Sequence, residues 1–143
     1  MRRPDGLELI LPELAVGGFA LHRLHTDEPW FWQGEMQDAM QWRIKGTEVI
    51  DKGTVARAAG FLAAKGYLER ERRREPNLHE RPRIYYQATD AIVKPLVEGL
   101  TYYVTHRALT VSQILVLQEG VEAVIEHADF ERHILRSILG EQA

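Results

Sequence analysis

At Gly66 the hydrophobic period of this chain changes, and that change constrains the fold more than any other feature. Before it, in "TVARAAGFLAAKG", Val55, Ala59 and Leu62 recur at i, i+4 and i+7, the apolar stripe of an amphipathic helix. Gly66 suits the left-handed cap that ends such a helix. After it, "YLERERRR" and "RIYYQAT" are runs of strand-forming residues around "EPNLHERP", a loop bounded by Pro76 and Pro82. A helix feeding a β-hairpin is predicted. On the return strand Ile84, Tyr86 and Ala88 share one parity and are assigned to the core, with Tyr85 and Gln87 facing out.

The flanks read as helical. Leu7, Leu9–Leu11, Leu14, Val16, Phe19, Leu21 and Leu24 predict a buried helix over about 7–25, which Pro12 and the Gly17–Gly18 pair would start, kink or end. "HTDEPWFWQ" reads as a connection. Met36, Ala39, Met40 and Ile44 recur at helical spacing in a second helix, and Val49–Ile50 is a candidate short strand. Downstream, a helix is predicted over about 90–107 and another over about 110–139. In the last, Ile114, Leu117, Val121, Val124, Ala128, Leu135 and Ile138 form a near-heptad seam broken at Glu131. Such a seam wants a second copy of the chain. The plainer alternative is packing within its own domain.

Charge is segregated along the chain. The whole is formally −3, yet residues 42–83 hold eleven Lys/Arg against six Asp/Glu. Residues 1–41 and 84–143 are each acidic. A basic middle between acidic ends is a local electrostatic footprint, and local charge decides what a surface attracts.

Three helices followed by a hairpin and further helices make a mainly α fold with a small β-hairpin wing, a winged helix-turn-helix with C-terminal dimerisation helices. Residues 1–89 are expected to form the DNA-binding domain and 90–143 the helical dimerisation region. In that design the third helix enters the major groove and the wing follows the sugar-phosphate backbone. "GEMQDAM", "GTEVIDKGTVARAAGFLAAKGYLERE" and "RPRIYYQATDA" resemble the core of the PadR-like winged-helix transcriptional regulators over about residues 33–91. Gly34-Glu35, Gly53-Thr54-Val55, Leu62, Lys65-Gly66-Tyr67-Leu68 and the Arg83-x-Tyr85-Tyr86-x-x-Thr89 strand carry the likeness; the broader MarR-like class shares the architecture. Ala56, Ala59 and Phe61 depart from the Tyr, Leu and polar residue usual in the family. The resemblance implies a homodimeric, sequence-specific regulator of double-stranded DNA, acting as a repressor.

The third helix, about 53–65, supplies the expected readers. With Val55, Ala59 and Leu62 buried, Arg57 points away from the core among Gly53, Ala56, Gly60 and Ala64. That smooth face would let backbone approach DNA while one guanidinium reaches a base edge. Lys52 and Thr54 at the helix start suit phosphates beside free N–H groups. In the wing, over 70–83, Arg72, Arg73, Arg74, Arg81 and Arg83 are the expected backbone contacts, although Glu69, Glu71, Glu75 and Glu80 could pair with several of them. Phe61 lies at the edge of this face, open to either core or DNA. The dimer interface is assigned to Ile114, Leu117, Val121, Val124, Leu135 and Ile138. The rival reading is a winged helix that docks a partner protein's helix on its Gly/Ala face.

Other chemistry finds little purchase. There is no cysteine, hence no disulfide, thiolate nucleophile or Cys-ligated zinc. No nucleophile elbow, phosphate loop or paired-carboxylate signature is present, so no enzyme activity and no cofactor are expected. His22, His25, His127 and His133 make no recognised ligand motif, and no metal is expected. Trp30, Trp32 and Trp42 are assigned to core packing, although relatives in the resembled family make a small aromatic effector a candidate ligand. Asp5, Glu8, Pro12 and Glu13 interrupt the apolar N-terminus, and no run approaches the ~18 apolar residues of a membrane span. A cytoplasmic location is expected.

Overall fold

The computed structural model describes residues 6–43, 52–74, 82–106 and 111–140, with the side chains of 40–43, 52, 111 and 112 outside that set. The elements run α1 (Leu11–Leu24), β1 (Phe31–Trp32), α2 (Gln33–Arg43), α3 (Lys52–Ala64), β2 (Leu68–Arg73), β3 (Arg83–Ala88), α4 (Val93–His106) and α5 (Val111–Ile138), with a 3₁₀ turn Asp90–Ile92 before α4. The architecture is mainly helical with one small antiparallel sheet, ordered β1-β3-β2. Among the described residues no helix is long and apolar enough to cross a membrane.

The first helix begins at Leu11, four residues later than its apolar run suggested, because Pro12 sits in its first turn. Glu13 caps it by accepting the Ile10 N–H at 3.0 Å. Residues Glu13 to Leu21 are all buried, so α1 is wrapped on every side. Gly17 and Gly18 neither start nor end it. A Cβ on Gly18 would stand 3.0 Å from Gly120 Cα, so the missing side chain is what lets α1 and α5 cross in backbone contact. Leu14, Phe31, Met36, Val55, Leu62, Tyr86, Ile92, Leu96 and Leu117 belong to one core cluster that runs from Leu9 to Ala123, across the expected boundary at residue 89.

The change of period at Gly66 is realised as a helix cap. Gly66 adopts φ +82°, its N–H reaches Ala63 O at 3.1 Å, and the Tyr67 N–H reaches Leu62 O at 2.9 Å. The base of the hairpin is clasped by Thr89, whose N–H and hydroxyl donate to Tyr67 O and Gly66 O at 3.0 and 2.8 Å. Register runs from Leu68↔Ala88 to Arg73↔Arg83. Tyr86 and Ala88 are buried and Ile84 packs against the core, the parity expected. The connection "HTDEPWFWQ" holds an element that its polar and proline-rich start hid. Phe31–Trp32 pair with Tyr86 and Tyr85 as a third strand. The candidate strand Val49–Ile50 lies outside the described residues.

One residue of the expected α5 seam, Leu117, turns into the chain's own core. It is 3% exposed, with Ala123 and His127 buried along the same face and Val116 and Val124 packed beside it. The reason lies in two glycines: Gly18 admits the Gly120 backbone, and Gly120 leaves room for Leu100 of α4, which together select the stripe of an apolar-rich helix that turns inward. Ile114, Val121, Leu135 and Ile138, also assigned to the seam, are exposed. From Ala128 onward every described residue of α5 is exposed, because the helix has outrun α1.

Candidate nucleic-acid interface

α3 presents two unlike faces. Val55, Ala58, Ala59 and Leu62 are buried. Gly53, Arg57 and Ala64 are exposed, and a Cβ built on Gly60 would meet nothing within 4 Å. Arg57 extends from this face with its Nη2 donating to Thr54 Oγ1 at 3.1 Å, so two expected contact residues stand together. Phe61 belongs with the core: it is half-buried against the cluster, with Lys65 Nζ 5.8 Å from its ring centre. Lys52 starts α3, and its side chain lies outside the described residues.

The arginines of the hairpin divide by strand parity. Arg73 and Arg83 face away from the helices, and there they meet aromatic rings. The Arg73 guanidinium lies 4.6 Å from the Tyr85 ring centre and 5.0 Å from that of Trp30, and its Nε donates to Glu71 at 3.1 Å. Arg83 stacks 3.9 Å over Trp32. Trp30 and Trp32 are therefore half-buried covers of two arginines instead of the core residues expected. Arg73 and Arg83, expected to reach phosphates, are held against the sheet by cation–π contacts and, for Arg73, by an ion pair.

Arg70 and Arg72 have the other parity, on the sheet face that the helices pack against, but beyond the edge of the core. Both are exposed, as is Arg74. Among the described residues none of the three has an acidic partner. Burial pushes the Tyr86 hydroxyl pKa up, and the positive charge of Arg70 opposes part of that rise. Arg70 falls within the expected wing but was not among its expected contacts, although its alternation with Arg72 along β2 groups the two. Arg81 lies outside the described residues, as does the side chain of Trp42.

The uncompensated charge is thus narrower than the arginine count implied. Among the described residues of α3 and the hairpin it consists of Arg57 on α3 with Arg70, Arg72 and Arg74 on β2 and its continuation. This set can hold phosphate oxygens and offer one bidentate fork to a base edge. Comparison of this chain with protein-family models, curated proteins and solved structures finds no match.

Proposed function

We propose that this chain is a winged helix-turn-helix protein that binds double-stranded DNA in a sequence-specific manner as a homodimer and represses transcription by occupying its site. The element order α1-β1-α2-α3-β2-β3 supports the winged-helix reading, with α3 as recognition helix and β2–β3 as wing. The observation that carries the DNA-binding reading is the exposed outer face of α3 bearing Arg57, together with three exposed arginines on β2 and its continuation that have no acidic partner among the described residues, on a net-acidic protein. The resemblance of residues 33–91 to PadR-like regulators points the same way.

Dimerisation is supported by apolar surface that the chain itself does not cover. Beyond α1, Phe130, Ile134, Leu135 and Ile138 are 46, 41, 56 and 74% exposed. Ile134, Leu135 and Ile138 prolong the helix face that is buried at Gly120 and Ala123. Val97, Val104, Val121 and Ile125 line a second apolar groove of about 290 Å³ between α4 and α5. A second copy burying these surfaces would space two recognition helices for half-sites about one helical turn apart.

The test begins with selection of bound fragments from genomic DNA, followed by titration of the selected and a random duplex. Arg57→Ala should cost about 1–3 kcal/mol on the selected site and less on random duplex. Arg57→Lys should not restore the difference, since an ammonium lacks the planar fork. Equal losses on both duplexes would reduce Arg57 to a phosphate contact.

A further inference from the structure

No histidine spacing in the sequence makes a ligand motif, yet the fold gathers metal donors from distant positions where α1 ends against α5. Nε2 of His127 lies 3.0 Å from Oε1 of Glu131, one turn further along α5. The same nitrogen lies 3.9 Å from Oδ1 of Asp90, the residue that opens the 3₁₀ turn after β3. Donor atoms of these three residues all fall within 4.8 Å of one another. The His127 side chain is 5% exposed, whereas Asp90 and Glu131 stand at the wall of an open cleft of about 770 Å³. His25 approaches from the end of α1, its Nε2 2.8 Å from Nδ1 of His127.

We propose that Asp90, His127 and Glu131 bind a divalent transition-metal cation of the zinc class, with His25 orienting the His127 ring. One imidazole and two carboxylates form a donor set that such ions accept, with water completing the shell. Metal–ligand bonds of about 2.0–2.2 Å put neighbouring donors of a tetrahedral ion about 3.3–3.6 Å apart. The separations of 3.0 and 3.9 Å at His127 bracket that range. Asp90 is 85% exposed, so its carboxylate is free to swing the remaining distance. Without an ion, the Glu131 carboxylate accepts a hydrogen bond from the Nε2–H of His127, and the cation would take the place of that hydrogen. With the ion on Nε2, the ring proton sits on Nδ1 and is donated to His25, an outer-shell contact that fixes metal-binding imidazoles. The bound ion would link the root of the hairpin to α5, at a place separate from the arginine surface.

The experiment uses the full, untagged chain freed of metal by chelation and titrated with zinc chloride by calorimetry. Cobalt absorption serves as a second readout. Wild type should take up one ion per chain with about micromolar or tighter affinity. Asp90→Asn and Glu131→Gln keep size and leave the core untouched, and each should weaken uptake at least about tenfold. His133→Gln, a change at an exposed histidine elsewhere on α5, should leave uptake unaltered. The proposal is overturned if wild type takes up no ion, if both carboxylate variants bind as tightly as wild type, or if uptake depends on His133 instead.

Discussion

Replacing Arg70, Arg72 and Arg74 together by Ala is expected to flatten the salt dependence of duplex binding by up to about 2.7 units, about 0.9 for each lost phosphate contact. In ~0.1 M salt the same counterion-release term corresponds to a loss of up to about 500-fold, on specific and random duplex alike. The three side chains are exposed and lack acidic partners among the described residues, so thermal unfolding should stay close to wild type. Arg73→Ala provides the contrast. Its guanidinium is paired with Glu71 and stacked on Tyr85 and Trp30, so its loss should leave the slope nearly unchanged and lower stability instead. A triple variant with the wild-type slope would remove the hairpin from the proposed binding surface.

The second large effect concerns the free end of α5. Ile134→Asp combined with Ile138→Asp should turn the dimer into a monomer at micromolar concentration, because the interface would bury unpaired carboxylates. Both residues lie beyond α1 and are exposed in the single chain, so circular dichroism should still report the folded helices. Operator affinity should fall by orders of magnitude once two half-sites are no longer bound together, while weak non-specific binding survives. Leu117→Asp is a different experiment: it places a charge inside the chain's own core and should unfold it. Sedimentation of wild type and the double variant decides the matter. A monomeric wild type, or a double variant that still dimerises, contradicts the dimer.

What was legible in the sequence was whatever rests on local pattern. The stripe Val55, Ala59, Leu62, the cap at Gly66 and the parity of Ile84, Tyr86 and Ala88 each need only a few consecutive residues, and each agrees with the structure. The strand Phe31–Trp32 was hidden because two residues are too few to display a period, and their partners Tyr86 and Tyr85 lie far along the chain. That Leu117, assigned to the seam between copies, lies in the chain's own core was hidden for a related reason. Apolar residues line more than one side of α5, and the choice falls to two glycines that hydropathy does not weigh: a Cβ on Gly18 would crowd Gly120 Cα, and one on Gly120 would meet Leu100 of α4. The candidate site followed suit. Counting arginines located the positive charge, but which of them remain available depends on Trp30 and Trp32, brought to the hairpin by that unforeseen strand.

Binding of the wild-type chain to a random-sequence duplex, followed through a salt series, tests the central claim most directly. The account predicts clear binding at about 50 mM salt, with a log–log slope to which Arg70, Arg72 and Arg74 contribute up to about −2.7, and binding to a selected site tighter by about 10³ or more. Absence of binding to either duplex at that salt would contradict it, and would leave the small outer face of α3 as a docking surface for a protein helix.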